Sequence, residues 1–249
     1  MLKKVLSCII LFTIPIKYGG AFILNKLGHQ ISKSAKFGFS LILTENIKLG
    51  DNTKIGHFNF LKIANLTIEN QGYIGILNIL MGDINVHLNV NAAIGSLNII
   101  KRPGENVVYG NCTFKLGVLS KVTTGHKIDC IRNIIFGDYC TLAGANSQLW
   151  THGYVHEAVG AGRFRVDGEI HIGNNVYIGS MCVINAGVKI SDGITVGSNS
   201  CVSKSISIPG LYVSQPLRHI SVTSEETKVR LNKIEGYELV EEVYEKKIK

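Results

Sequence analysis

The chain has 249 residues, of which 45% are apolar and 18% are charged, so it is a sheet-like globular chain rather than a disordered one. The formal net charge of +8 indicates an anionic partner. No basic stripe interleaved with aromatic residues is present, so we do not expect nucleic acid, and cofactor phosphates or an acidic membrane surface explain the sign equally well. Six cysteines without a CxxC pair argue against a disulfide framework or a zinc site and favour a reducing compartment.

Residues 1–28 are predicted to form an N-terminal apolar helical segment. An apolar run of about a dozen residues follows Lys3 and Lys4; it is too short to span a bilayer, which needs roughly 20. Three interpretations stay open: a signal peptide with a poor cleavage site near Tyr18, a helix that covers the end of the domain, or a helix on the inner membrane surface. The expected location is the cytoplasm, with peripheral membrane contact under the third interpretation.

From residue 31 onward an apolar anchor returns every six residues. The first anchors are Ile31, Phe37, Leu43, Leu49, Ile55 and Leu61, and after a one-residue slip they resume at Ile68, Ile74, Leu80 and Val86. A helix would need a period of 3.6 and a simple strand a period of 2, so this repeat indicates a parallel β-helix of hexapeptide repeats. Between about 91 and 133 the pattern is hard to follow, and we expect degenerate coils with a loop near 101–104.

The clearest repeats lie between residues 166 and 209. Their anchors are Ile172, Ile178, Ile184, Ile190, Val196, Val202 and Ile208. Glycine follows three anchors, where we expect it to supply backbone freedom at a corner. Cys140, Cys182 and Cys201 read as small core residues. The segment 153–168, rich in glycine and arginine, interrupts the repeat, and an excursion of this size is usually functional.

The stretch Ile172-Gly173-Asn174-Asn175-Val176-Tyr177-Ile178-Gly179-Ser180 resembles the hexapeptide-repeat acyltransferases, and the run from Phe136 to His152 is similar to their galactoside, maltose and capsular-polysaccharide O-acetyltransferase branch. The resemblance spans roughly residues 136–220. It implies an all-β, left-handed parallel β-helix over residues 29–220, an exception to the usual right-handed crossover, and a homotrimer. Residues 221–249 form a charged extension that is compatible with a helix.

The resemblance implies that His152 is the catalytic base. An imidazole can take the proton of an acceptor hydroxyl or amine as it attacks a thioester, and can return it to the departing thiol. A backbone N–H near Ser180 is the implied oxyanion donor. Glu157 and Asp167 are the candidates for the carboxylate that orients the imidazole.

The resemblance also implies a path for acetyl-CoA, and no metal is expected. Tyr177 stands where relatives have an aromatic residue, usually tryptophan, beside the active site. Lys204 and Arg218 suit the CoA phosphates, which require point charge and bidentate recognition. The remaining cofactor-binding positions are Gly179, Ser180, Ser198 and Ser203.

The sequence therefore predicts an acetyl-CoA-dependent O-acetyltransferase that acts on a sugar hydroxyl of a surface or capsular polysaccharide or its precursor. Three alternatives stay open: an N-acetyltransferase acting on an amino-sugar nucleotide, a γ-type carbonic anhydrase, and a non-catalytic β-helix scaffold. His152 and His156 are four residues apart rather than the five of the carbonic anhydrases. The sugar-binding Asn and Asp residues of the galactoside enzymes do not align before Phe136, so the acceptor stays open.

Overall fold

The computed structural model describes residues 2–13, 20–104, 106–156, 158–214, 226, 229, 231–233 and 244–246. Contacts divide the chain into two units, Met1–Ser214 and Gln215–Lys249. The first unit is a left-handed parallel β-helix, which confirms the predicted fold class. The boundary predicted at residue 220 lies outside the described residues.

The helices are α1 (Leu2–Thr13) and α2 (Gly20–Lys26). In chain order the strands are β1 (Gln30–Ile31), β2 (Lys36–Phe37), β3 (Leu41–Leu43), β4 (Asn46–Leu49), β5 (Lys54–Ile55), β6 (Phe60–Lys62), β7 (Asn65–Ile68), β8 (Tyr73–Ile74), β9 (Ile79–Met81), β10 (Asn85–Leu88), β11 (Ala93–Ile94), β12 (Ile99–Lys101), β13 (Thr113–Leu116), β14 (Lys121–Val122), β15 (Lys127–Asp129), β16 (Ile134–Phe136), β17 (Thr141–Leu142), β18 (Gln148–Trp150), β19 (His152–His156), β20 (Arg163–Asp167), β21 (Ile170–Ile172), β22 (Tyr177–Ile178), β23 (Val183–Ile184), β24 (Lys189–Ile190), β25 (Ile194–Val196), β26 (Cys201–Val202), β27 (Gly210–Tyr212), β28 (Leu231–Lys233) and β29 (Tyr244–Lys246).

Each coil passes through three parallel sheets in turn. Sheet A stacks β1, β4, β7, β10, β13, β16, β21 and β24; sheet B stacks β2, β5, β8, β11, β14, β17, β22, β25 and β27; sheet C stacks β3, β6, β9, β12, β15, β18, β23 and β26. The strands β11–β15 pair in regular register, so residues 91–101 and 113–133 form ordinary coils even though their hexad is obscure. The hexad is obscured because residues 102–112 are inserted between β12 and β13.

The interior is a continuous column of aliphatic side chains. Six of the seven anchors predicted between residues 172 and 208 are buried, whereas Ile208 is 73% exposed because Ile206, two residues earlier, pairs with Ile190 of sheet A and packs against the core in its place. In the first coil Ile42 is buried instead of the predicted Leu43. The predicted core residues Cys140 and Cys182 are buried, but Cys201 is exposed because it points outward from β26.

The glycines after the anchors serve a purpose other than the predicted one. A Cβ built on Gly173 would collide with Asp192 Oδ1 and would lie 2.8 Å from Asp192 N, so the next coil leaves no room for a side chain. The left-handed backbone conformation falls two residues later, for example at Asn175 with a φ of 54°. Close approach between coils, rather than a positive φ, therefore selects glycine after Ile172.

The helices cover the open end of the first coil. Ile10, Leu11 and Leu24 belong to the same core as the coil residues. The His29 ring joins α1 to the coil, because its Nε2 is 2.8 Å from Ser7 Oγ and its Nδ1 accepts the N–H of Ile47. Within the described residues no helix is long and apolar enough to cross a membrane. The cleavage site considered near Tyr18 lies outside them.

The second unit departs from its prediction where the structure describes it. Residues 221–249 are helix-compatible in sequence, yet β28 and β29 pair antiparallel. The predicted C-terminal helix is therefore wrong for these two segments.

A ladder of buried polar side chains runs along the corner between sheets B and C. Each member accepts the backbone N–H of the residue at the same corner in the next coil, with distances of 2.9–3.2 Å. The members are Ser40, Asn59, Asn78, Asn98, His126 and Ser147. Burial lowers the pKa of His126 to about 4, because a charged ring would lose solvation at this buried corner.

This ladder predicts a component of acid sensitivity in the stability of the protein. An unfolded histidine has a pKa of about 6.5, so as the pH falls from 6.5 towards 4 the unfolded chain binds a proton that folded His126 does not, and the free energy of unfolding decreases. His126→Asn extends the run of three asparagines with the same acceptor geometry. We expect this variant to lose less stability than the wild type between pH 7 and pH 5, as measured by urea unfolding. Equal losses in the two proteins would show that His126 does not carry this component.

Candidate functional site

The predicted base His152 lies at the corner between sheets C and A, where it begins β19, with one residue between it and the end of β18. Its Nδ1 is 2.9 Å from Oδ1 of Asp129, the last residue of β15 in the preceding coil. An ionised carboxylate only accepts hydrogen bonds, so Nδ1 carries the hydrogen and the lone pair is on Nε2. The side chains of His152 and Asp129 are 20% and 12% exposed, which leaves the imidazole shielded but reachable. This arrangement is an oriented proton acceptor.

Asp129 is itself held by its neighbours. Thr151 Oγ1 lies 3.0 Å from Asp129 Oδ1 and 3.0 Å from the Asp129 carbonyl oxygen. The Ile131 N–H donates to the same Oδ1 at 3.4 Å, and Arg132 N–H donates to Thr151 Oγ1 at 3.1 Å. The carboxylate that orients the imidazole is therefore fixed by the turn that follows its own strand and by the next coil.

The two carboxylates considered from the sequence are not the ones that contact the imidazole. Asp167 accepts two hydrogen bonds from Arg165, at 2.7 and 2.9 Å. Glu157 lies outside the described residues. Sequence reasoning missed Asp129 because it precedes His152 by 23 residues. The signal that could have found it is coil register, since Asp129 lies directly opposite Trp150 in sheet C.

The predicted excursion 153–168 folds largely as a two-stranded antiparallel hairpin of β19 and β20, in which His152 opposes Asp167 and His156 opposes Arg163. Aromatic rings flank the imidazole edge-on: the Trp150 ring centroid is 6.1 Å away and that of Tyr154 is 5.8 Å away. Both rings are themselves exposed.

A second excursion, residues 102–112, leaves the coil at the same corner two coils earlier and is called the corner loop. The Arg165 guanidinium donates to the Val107 carbonyl at 2.6 Å, and its hydrogen bond to Asp167 raises the Arg165 pKa. Arg132 stacks 4.7 Å from the Tyr109 ring centroid. The corner loop and the hairpin thus form one surface beside His152, which sequence reasoning did not anticipate.

The residues predicted to bind CoA fall on different parts of the coil. Ser180 and Ser198 lie in adjacent coils at the corner between sheets B and C, where Asn199 N–H donates to the Ser180 carbonyl at 2.8 Å. Tyr177 points outward from sheet B and is 47% exposed.

Backbone pairing between these two coils also fixes Gly179, whose N–H donates to the Val196 carbonyl at 2.8 Å. Ser203 and Lys204 follow β26 at the corner between sheets C and A, which is the corner of His152, and they line a cavity of about 260 Å³. Lys204 therefore lies at the same corner of the coil as His152, whereas Ser180 lies at a different corner. Arg218 lies outside the described residues.

The histidines that the structure describes do not form a metal site. Among the described residues, no three His, Cys, Asp or Glu side chains form a group that could hold a metal ion. His156 lies at the exposed end of β19 and opposes Arg163 across the hairpin.

Comparisons with known proteins identify similar chains. No protein-family model matches. The chain is 32% identical over 142 residues to the "Putative acetyltransferase YvoF" of Bacillus subtilis (strain 168), covering 56% of this chain and 74% of that protein. It is 25% identical over 121 residues to a chloramphenicol acetyltransferase of Morganella morganii, covering 41% of this chain and 58% of that protein. Among solved structures, the "polySia specific acetyltransferase NeuO" is similar with a TM-score of 0.41 and 17% identity, covering 79% of this chain and 90% of that one.

The contact between hairpin and corner loop generates a prediction. Arg165→Gln removes the paired hydrogen bonds to Asp167 and the bond to the Val107 carbonyl. We expect faster hydrogen–deuterium exchange in residues 106–110 and 152–167, with little change in melting temperature, because the core is untouched.

Arg163→Gln is the matched control, because the Arg163 guanidinium lies 4.9 Å over the Tyr154 ring and belongs to the same strand. Exchange in residues 106–110 should be unchanged in this control. Unchanged exchange in both variants would show that Arg165 does not hold the corner loop against the hairpin.

Proposed function

The chain belongs to the hexapeptide-repeat acetyltransferases, and we propose that it transfers an acetyl group from acetyl-CoA to a sugar hydroxyl with His152 as the general base. The observation that carries this proposal is the 2.9 Å hydrogen bond between His152 Nδ1 and Asp129, which leaves Nε2 as the proton acceptor at an accessible corner. A proton acceptor of this kind is what direct acyl transfer to a hydroxyl requires.

In the proposed reaction the acceptor hydroxyl gives its proton to Nε2 of His152 while its oxygen attacks the thioester carbonyl carbon. A new carbon–oxygen bond forms, and the tetrahedral intermediate collapses as the carbon–sulfur bond breaks. The imidazolium returns the proton to the departing sulfur, so the products are the acetyl ester and free CoA thiol. The chain needs no nucleophilic serine, because the transfer is direct.

Asp129 is proposed to act as a positioning residue. Its carboxylate holds the hydrogen on Nδ1 and stabilises the imidazolium that forms when Nε2 takes the proton. Thr151 and the backbone N–H of Ile131 fix the carboxylate, so the imidazole does not have to reorient during the reaction.

A sugar acceptor is supported by the surroundings of His152. Trp150 and Tyr154 present exposed aromatic surface, and the polar groups of Arg163 and Gln148 lie next to these rings. Aromatic walls with a few polar groups are typical of small-molecule sites. A surface or capsular polysaccharide, or its precursor, is the proposed acceptor.

The proposed donor site involves more than one copy of the chain. Lys204 is proposed to bind a CoA phosphate, and Ser180 to supply the backbone N–H for the oxyanion. Because Ser180 and His152 lie at different corners, a homotrimer in which neighbouring copies face each other would join them at one thioester. We propose the cytoplasm as the location, where acetyl-CoA is available, with residues 1–28 near the inner membrane face.

The first test is acetyl-CoA binding by calorimetry, followed by a thiol-release assay with polysaccharide and amino-sugar acceptors. We expect micromolar binding that weakens in Lys204→Ala, because a phosphate contact is lost. Ser205→Ala, at the neighbouring position, is the matched control. Absence of binding to any acyl-CoA would overturn the proposal, and thiol release only with amines would replace the hydroxyl acceptor.

The assigned roles predict a distinctive pattern in kinetics. His152→Ala should lower kcat by about 10²–10⁴-fold, since it removes the general base. Asp129→Asn should lower kcat by about tenfold or more, because an amide that donates to Nδ1 selects the wrong tautomer. The KM for acetyl-CoA should stay unchanged in both variants.

Asp167→Asn is the control for Asp129→Asn, because Asp167 lies opposite His152 in the hairpin but bonds to Arg165. We expect only a small loss of kcat in this control. A larger effect at Asp167 than at Asp129 would reverse the assignment of the positioning residue.

A further inference from the structure

One face of the early coils is apolar although it points away from the core. In sheet C of the first four coils each strand presents an apolar residue outward, and strand pairing aligns these residues in a column. Two positions earlier in each coil, at the corner between sheets B and C, a second apolar side chain is exposed. We call these residues the apolar strip: Phe39, Leu41, Phe58, Phe60, Leu77, Ile79, Leu97 and Ile99.

The other two faces of the same coils lack such a strip in residues 30–101, all of which the structure describes. The outward residues of sheet A are polar throughout: Gln30, Asn46, Lys48, Asn65, Thr67, Asn85 and His87. Those of sheet B are Lys36, Lys54, Tyr73 and Ala93. The strip is therefore a property of one face and not of the early coils as a whole.

Local backbone preference does not explain the apolar residues at the corner. Phe58, Leu77 and Leu97 have φ values of 59–62°, a left-handed conformation that glycine and asparagine adopt most readily. They are 46–67% exposed. In later coils the same corner holds Gly125, Asn146, Met181 and Asn199. Contiguous apolar surface that is exposed at such positions indicates that another surface covers it.

The strip ends where the candidate site begins. In sheet C the column of outward residues continues from Ile99 to Lys127 in the fifth coil and to Gln148 in the sixth. Gln148 accepts a hydrogen bond from Trp150 Nε1 at 2.9 Å, and the Trp150 ring lies beside that of His152. The same face therefore changes from apolar to polar within one coil, which separates a contact region from the region of the proposed chemistry.

The proposed homotrimer turns this face towards the axis of the assembly. His152 lies at the corner between sheets C and A, and Ser180 lies at the corner between sheets B and C. When the His152 corner of one copy meets the Ser180 corner of the next, each copy contacts one neighbour at each of these corners and the ring closes. Sheet C connects the two corners, so it faces the axis. A neighbouring coil that runs parallel can then cover all four coils of the strip.

The chemistry of the strip also fits a second copy of the chain. Contacts between identical subunits have apolar cores, and their rims are polar. Next to the strip, towards the corner between sheets C and A, the second outward column alternates between apolar residues and lysines: Leu43, Lys62, Met81 and Lys101. Lysines at the rim of a contact reach water while their stems pack against apolar surface.

We propose that the apolar strip is the surface through which three copies of this chain associate, and that this contact holds Ser180 of one copy against His152 of the next. The inference rests on the proposed function for the pairing of these two corners. The surface itself lies in residues 39–99, outside the segment 136–220 that resembles the acyltransferases. The later coils supply the reacting groups, and the early coils hold them at a fixed separation.

The test is sedimentation velocity of the full chain, combined with the thiol-release assay. Ile79→Lys/Ile99→Lys places in the strip the residue type that the chain has at Lys127 in the same column. We expect a trimeric wild type and a variant that dissociates at concentrations about 100-fold higher or more, because each copy loses two apolar contacts and gains charge. Thiol release by the dissociated variant should fall by about tenfold or more, since the oxyanion donor of the neighbouring copy is lost.

Phe58→Asn/Leu77→Asn/Leu97→Asn is a second variant of the strip. It should fold, as checked by circular dichroism, because the chain has asparagine at the same corner at Asn146 and Asn199, and it should dissociate likewise.

Thr67→Lys/Tyr73→Lys is the matched control. It adds the same two charges in the third coil, on the strands that flank the corner between sheets A and B, opposite sheet C. This control should remain a trimer with unchanged thiol release.

A monomeric wild type would overturn the proposal, and so would folded strip variants that remain trimeric. Equal dissociation of the control would also overturn it, because added charge rather than the strip would then explain the effect. Dissociation of both strip variants without loss of thiol release would refute the completion of the site across copies. A trimer that the strip variants dissociate but that binds no acyl-CoA would support the strip and contradict the proposed function, so the two failures are distinguishable.

Discussion

Every coil of this protein must repeat the path of the coil before it. All three sheets are parallel, so each strand satisfies its backbone groups only on the strands directly above and below. This constraint explains why a side chain fails to fit at Gly173, where the backbone nitrogen of Asp192 in the next coil would lie 2.8 Å from a Cβ. It also explains the internal asparagine ladder, since a polar side chain placed at a corner finds its partner at the same corner one coil away.

The same constraint decides where extra residues can go. An insertion inside a strand would break register in every later coil, whereas an insertion at a corner leaves the register intact. Both long excursions leave at the corner between sheets C and A, and Arg165 joins them through the Val107 carbonyl. Coil stacking at that corner also brings Asp129 to His152. The site is therefore a product of the solenoid rather than of one segment.

Much of the fold could be predicted from the sequence, because a six-residue period reports the coil directly. The prediction for Ile208 is wrong because the last coil is shorter than the period implies, so that Ile206 pairs with Ile190 and Ile208 is left exposed. The resemblance identified His152, but neither pattern nor resemblance identified Asp129. Asp129 lies next to His152 only because one coil has the length that it has. That length includes corner residues, which carry no periodic signal in the sequence. The asparagine ladder escaped prediction for the same reason, since its members are one coil apart.

The hairpin leaves the coil at His152 and re-enters beside it at Asp167, with the two residues paired in register. A segment whose two ends meet in this way can be shortened, lengthened or exchanged without repacking the aliphatic column beneath it. Divergence within such a lineage can therefore proceed by replacing hairpins while the coil is inherited unchanged. The same property makes this junction a natural place to graft recognition segments from one solenoid enzyme onto another.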